Sequence, residues 1–210
     1  MDISWLGHAC LRLRAGGTFV VMDPTSKEAG YDMGRPTAEI VTVSHDDPGH
    51  NNVKGLRGEP LLLDGPGEYE VQGVQVLGIA SALRPAAEGE RGGRNVVFVV
   101  EAEELRLAHL GALGARLTAE QKDQLGSIDV LVIPVGGGLV LDATEAARIV
   151  RELEPKVVIP MYYTSSPDAP APADFVRALG IEAEAPVARV TVQKRGLGEK
   201  TRLVILEPRA

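Results

Sequence analysis

The chain has a single cysteine, Cys10, in 210 residues, so no disulfide can form within it. A lone thiol of this kind reads as buried packing before it reads as a nucleophile. Aromatic residues make up only 4% of the chain, so the core has to be built from Val, Leu, Ile and Ala. No apolar run reaches the ~18 residues that would span a bilayer. The opening Met1-Asp2 lacks the basic-then-apolar pattern of a secretory leader. The expectation is a cytoplasmic protein without a membrane partner. Clusters of Lys and Arg are also missing along the sequence, and the formal net charge is −7. Nucleic acid, which selects for clustered cations, is therefore not an expected partner.

What is present suits one α/β domain over residues 1–210, with 44% hydrophobic residues. The first half reads as short strands: Ile3–Trp5, Cys10–Leu13, Thr18–Met22, Glu39–Ser44, Leu61–Leu63, Tyr69–Val71 and Val74–Ile79. Asn95–Glu101 and Leu105–Leu110 form a hairpin turned by Ala102-Glu103-Glu104. With no helices between them, these strands are expected to pair antiparallel. The second half alternates. Thr118 with Gln121, and Asp142 with Glu145, have capping-box spacing and predict helices over 119–125 and 143–153. Asp129–Val135 and Lys156–Tyr163 read as strands, the first buried on both faces. A helix over 173–179 runs from Pro172 to Gly180. Residues 188–194 and 201–206 look like a closing hairpin. Arg84–Arg94 and Ser165–Ala173 read as irregular.

The four histidines, His8, His45, His50 and His109, lie near the ends of predicted strands or in the turns after them. Sheets commonly build their sites there. His45, Asp47 and His50 offer three donor groups in a tight Pro-Gly turn, with imidazole nitrogen and carboxylate oxygen suited to Zn²⁺, Mn²⁺ or Fe²⁺. A polar turn with hydrogen-bonded histidines is the plainer alternative. Asp23-Pro24 after a strand reads as a turn that caps local amides. Gly136-Gly137-Gly138 lacks the spacing of a phosphate loop and reads as a tight turn. Ser44 is not in a nucleophile elbow.

Five segments together carry a resemblance: Gly7-His8, Val43 through Asn52, Asp64 through Glu70, His109-Leu110-Gly111, and Ile133-Pro134-Val135-Gly136-Gly137. Through them the chain resembles the metallo-β-lactamase superfamily. Within it, the chain is similar to small bacterial Zn-dependent hydrolases related to the L-ascorbate-phosphate lactonases. The resemblance implies a four-layer αββα sandwich. In typical members it implies two metal ions held by H-x-H-x-D-H, a later His, a bridging Asp and a final His, which activate water and polarise the substrate.

Carried over residue by residue, His45 and His50 match the first and last positions of that motif. Asp47 stands in place of its second His, and Gly49 in place of its Asp. The later His belongs to a loop that here reads Ala80-Ser81-Ala82-Leu83-Arg84. The bridging Asp belongs at Ala112, and the final His at Tyr162. Losing these positions together avoids stranding unpaired carboxylates in a cleft, as in a site dismantled as a unit. The resemblance therefore implies a scaffold without a cofactor, inactive or strongly impaired, binding a small molecule in the old cleft or self-associating. The alternative is a hydrolase of a lactone, ester or phosphodiester with one Zn or Mn ion at His45, Asp47 and His50. In the family geometry the outer two histidines serve different metals, which leaves open whether this trio converges on one ion. His8, Asp23, Asp46, His109 and Tyr162 are expected to line or support the cleft, and Glu68 is a further unplaced carboxylate.

Overall fold

A computed structural model describes residues 1–85, 92–163 and 172–208. Most of the two segments expected to be irregular lies outside these residues. In chain order the strands are β1 (Asp2–Gly7), β2 (Cys10–Ala15), β3 (Thr18–Met22), β4 (Ile40–Thr42), β5 (Leu61–Leu63), β6 (Gly67–Val71), β7 (Val74–Ala82), β8 (Arg94–Ala102), β9 (Leu105–His109), β10 (Val130–Pro134), β11 (Val157–Met161), β12 (Val190–Thr191) and β13 (Arg202–Leu203). The helices are α1 (Ala119–Leu125), α2 (Ala143–Leu153) and α3 (Ala173–Leu179). One sheet has the order β12-β1-β2-β3-β4-β5 and the other β13-β11-β10-β9-β8-β7-β6.

Alternation along the strands builds the layers. Leu11, Leu13, Val20, Met22 and Ile40 of the first sheet meet Val76, Phe98, Val100, Leu107, Val132 and Ile159 of the second. The opposite face of the second sheet, with Val97, Val99, Leu131, Ile133 and Val158, receives Leu125, Ile149, Val150 and Phe175 from the helices. β10 thus buries both faces, as a central strand must. The first sheet's outer face is covered differently. Val21, Val41 and Cys10 pack against Met33, Ala38, Val53 and Leu56, which come from irregular segments with two short 3₁₀ turns.

The local signals act as the chemistry requires. Thr118 Oγ1 accepts from Gln121 N while Gln121 Oε1 accepts from Thr118 N. Asp142 and Glu145 make the same exchange. Each box satisfies helix-end amides and contributes about 1 kcal/mol. Glu103 and Glu104 both take positive φ, 53° and 60°, which gives the β8–β9 hairpin a turn twisted to match its strands.

Three expectations are corrected. β3–β4 and β4–β5 are parallel, because residues 23–39 and 43–60 are long enough to cross back over the outer face. The closing hairpin does not exist: β12 joins β1 in one sheet and β13 joins β11 in the other. The expected loop over Ala80–Arg84 is in part strand, since β7 continues to Ala82 by pairing with Arg94 of β8.

Parallel pairing has a consequence for the site. β3, β4, β9 and β11 all end at one edge of the sandwich, and the β1–β2 turn reaches the same edge. Asp23, His45, His109, Tyr162 and His8 follow or close these elements.

Candidate metal site

His45, Asp47 and His50 converge: one potential ligand atom from each lies within 4.8 Å of the others. The turn that follows β4 makes this possible. His50 N donates to the Asp47 carbonyl at 2.8 Å, and Gly49 N donates to Asp47 Oδ1 at 2.8 Å. His50 is buried, His45 half-buried and Asp47 exposed. Tetrahedral zinc spaces its ligand atoms by about 3.4 Å, so the trio stands open by no more than about 1.4 Å.

Asp23 organises both imidazoles. It is fully buried and has φ +48°. Its Oδ1 accepts from Ser44 N at 2.7 Å, and its Oδ2 accepts from Ser44 Oγ at 2.6 Å. Oδ2 also lies 2.8 Å from His50 Nδ1. An ionised carboxylate only accepts, so His50 Nδ1 carries the proton. Ser44 has spent its one hydrogen on Asp23, so at 3.1 Å its oxygen must accept from His45 Nδ1. Both histidines are thereby held with Nε2 as the free lone pair. His50 Nε2 is buried and has no hydrogen-bond partner. This is the carboxylate–histidine arrangement that commonly stands behind a metal. Burial works to raise the Asp23 pKa, but the attraction and hydrogen bond of His50 in its protonated, ion-free form outweigh it and bring the pKa down to about 2.

The other histidines divide clearly. His109 is fully buried; its Nε2 donates to Ala9 O at 2.9 Å, and its Nδ1 accepts from Gly111 N at 3.2 Å. Both nitrogens are committed to backbone, so it braces the edge and has no lone pair for an ion. His8, at φ +52°, packs edge-on to His50 at 4.9 Å and against Tyr162 at 4.1 Å. Burial, and after it the charge of His50, brings the His8 pKa down to about 4. Tyr162 takes φ +59°, and its N donates to the His8 carbonyl at 3.2 Å. Gly136 presses on the Tyr162 carbonyl, 2.0 Å from where a Cβ would stand. The rest of the glycine run forms a turn, with Gly137 N bonded to Leu141 O.

Among the described residues, seven non-glycine residues have positive φ. Gln72, Glu103, Glu104 and Glu154 serve hairpin turns or a helix end. His8, Asp23 and Tyr162, the remaining three, all surround His50. Such backbone costs of order 1–3 kcal/mol each and tends to gather at functional sites.

The positions where the superfamily pattern is broken are filled. A Cβ on Gly49 would stand 3.0 Å from His8 Nε2 and 3.1 Å from Asp47 Oδ1. Ala112 is fully buried, and its N donates to Asn95 Oδ1 at 2.9 Å. Asn95 Nδ2 donates to Ser81 Oγ at 2.7 Å and Leu110 O at 3.1 Å. Sequence reasoning missed Asn95 and the relay through Ser44. A buried Asn in an apolar strand was the only available signal for the first, and the second had none.

Asp46 is exposed, accepts from Asn51 Nδ2, and lines a cavity of about 670 Å³ beside His45. Asp64, Arg94, Leu62 and Leu83 form other parts of its wall. Glu68 is not brought to the site; it lies exposed on β6 beside a different cavity. Among the described residues, no helix is long and apolar enough to cross a membrane.

Known proteins are similar to this chain in sequence and fold. The family model for the β-lactamase superfamily domain matches residues 2–162. A UPF0173 metal-dependent hydrolase from Natranaerobius thermophilus is 26% identical over 81% of this chain and 87% of its own length. Another, from Pyrococcus horikoshii, is 29% identical over 88% of this chain and 94% of its own. Among solved structures, a metallo-β-lactamase superfamily protein from Thermotoga maritima is 30% identical, with a TM-score of 0.78 over 98% of this chain and 97% of its own. A Parabacteroides distasonis structure at 17% identity and TM-score 0.69 shares the fold, covering 99% of this chain and 93% of its own. With the strand order, the clustered strand ends and these matches agreeing, this chain belongs to the metallo-β-lactamase superfamily.

Proposed function

We propose that the chain is a hydrolase that works with one divalent metal ion, zinc or manganese, held by His45 Nε2, His50 Nε2 and a carboxylate oxygen of Asp47. The substrate class is a lactone, ester or phosphodiester. The observation that carries this reading is His50: its Nδ1 is tied to buried Asp23, while its Nε2 is buried without a partner beside two further donors. Leaving a buried nitrogen unbonded costs about 1–3 kcal/mol, which an ion would offset. Relatives named metal-dependent hydrolases support it. When bound, the ion would supply Lewis-acid polarisation and a water activated near neutral pH. The protein's own contributions are distinct. Asp23 and Ser44 hold the two imidazoles in one tautomer, His8 and Tyr162 wall the buried side, and exposed Asp47 leaves the outer side open. The cavity beside His45 seats the substrate.

A second reading is a catalytically silent fold that binds a small molecule in the same cavity. Gly49 and Ala112 favour it, since the space beside Gly49 is occupied by His8 and Ala112 is sealed by Asn95, which leaves a second ion no carboxylate. Elemental analysis of metal per chain, with hydrolysis of lactones, aryl esters and bis(p-nitrophenyl) phosphate, separates the two. One ion per chain and a chelator-sensitive activity, both lost in His45→Ala and His50→Ala, support the hydrolase. Metal-free folded protein without activity supports the silent fold.

A further inference from the structure

The first sheet's outer face concentrates positive charge in a chain of net charge −7. Cross-strand partners share a face, and the register places Asp2, Arg14 and Phe19 in one row and Ser4, Arg12 and Val21 in the next. Arg12 lies over the Phe19 ring, its guanidinium carbon 4.0 Å from the centroid, and the Arg14 guanidinium is 6.0 Å away. Two cavities meet at Arg12. One, of about 460 Å³, is lined by Arg35 and Arg57. The other, of about 240 Å³, is lined by Arg14 and Arg189. None of these arginines lines the cavity beside His45.

Four arginines elsewhere, Arg84, Arg106, Arg177 and Arg202, each pair with a carboxylate. Among the described residues, no ion pair joins Arg14, Arg35, Arg57 or Arg189 to one. Two carboxylates line the cavities, fewer than the arginines there, and Asp2 also feels the charges of Arg189 and Arg14. Asp32 pairs with Lys27 at 2.9 Å, and Asp2 accepts from Thr191 Oγ1 at 2.6 Å. Like charges gathered this way repel, and the repulsion is relieved by an anion that several guanidinium forks can grip.

We propose that this face binds a small polyanion with at least two phosphate-type groups. One group sits in the Arg35–Arg57 cavity and one in the Arg14–Arg189 cavity, with Arg12 between them. Two arginines spaced i, i+2 on β2 set the charged groups about 7 Å apart or more. The cavities suit a compact ligand. A single-stranded nucleic acid wants open aromatic faces for its bases, and the only aromatic ring lining these cavities, Phe19, is already covered by Arg12. This inference stands apart from the hydrolase reading.

The test is calorimetric titration of inorganic tripolyphosphate into the full chain, after chelator treatment and gel filtration so that no metal is present for the probe to sequester. Saturable one-to-one binding that weakens with added salt is expected. The exposed pairs keep the fold testable: Arg35→Gln/Arg57→Gln and Arg14→Gln/Arg189→Gln should each weaken binding about tenfold or more. Absence of saturable binding, or loss in only one of the two double variants, overturns the proposal. Tighter binding of a single-stranded oligonucleotide at the same face overturns the small-ligand assignment.

Discussion

Replacing Asp23 by Asn tests the organisation of the metal site at its least obvious point. The side chains are nearly isosteric, so the change is one of hydrogen-bond direction. The new amide must keep its carbonyl oxygen toward Ser44 N, which Asp23 Oδ1 now satisfies at 2.7 Å. That leaves its NH₂ facing Ser44 Oγ and His50 Nδ1, where Asp23 Oδ2 stands 2.6 and 2.8 Å away. A donor there forces His50 Nδ1 to accept, which moves its proton to Nε2 and removes the lone pair offered to an ion. Ser44 loses its acceptor too, which frees His45 to change tautomer. Carboxylates behind a metal-bound histidine contribute about 10–100-fold in affinity. With both imidazoles dependent on one carboxylate, a loss near 100-fold, about 2.7 kcal/mol, is expected. Zinc affinity would be read by competition with a chromophoric chelator at neutral pH. The His50 tautomer would be read by nitrogen NMR, and folding by fluorescence of Trp5, the only tryptophan, whose Nε1 donates to the His8 carbonyl. A folded Asp23→Asn protein with unchanged zinc affinity would refute the reasoning.

Metal-free protein should lose stability as pH falls. Burial lowers the pKa of His8 from 6.5 to about 4, and those of His45 and His109 are lowered in the same sense. The unfolded chain then binds more protons, so the contribution is intact above pH 6.5 and is lost on the way down to about pH 4. His8 alone contributes at most about 3 kcal/mol; urea midpoints that stay flat across that window would contradict this. Gly111→Ala should cost roughly 2–4 kcal/mol and weaken zinc binding. Its φ is +58°, and the new Cβ would meet Ser44 Cβ at 2.4 Å and Asn95 Oδ1 at 2.6 Å. Unaltered thermal stability and zinc affinity would count against the Ser44 relay. Gly49→Asp, which restores the superfamily residue, should not add a second ion, because His8 holds the space and Ala112 supplies no bridge; two zinc ions per chain by elemental analysis would overturn that.

Much of the fold was legible because its signals are local. The capping boxes at Thr118 and Asp142 and the apolar runs of β3, β5 and β10 act within a few residues, where sterics and hydrogen bonding decide the backbone. The donor types at His45, Asp47 and His50 were legible for the same reason. Two errors share one cause. The strands after β3 were read as antiparallel, and the last two as a hairpin. Strand sequence encodes which face is buried but carries little about which neighbour completes the sheet. The site suffered likewise. Asp23 reads as a local cap that also supports the cleft, and Ser44 as lying outside any nucleophile elbow, but their shared role depends on segments 21 residues apart in the chain.

From its residues alone, then, the chain was bound to a sandwich of short strands with few aromatics, a donor-bearing turn after β4, and no carboxylate at Gly49 or Ala112. Tertiary structure decided whether the donors meet. Parallel pairing of β3 with β4 sets Asp23 beside Ser44, and burial there leaves one carboxylate to orient both imidazoles, His50 directly and His45 through the Ser44 hydroxyl. The direction of those protons, which no sequence pattern encodes, is what turns two nitrogens toward a common point.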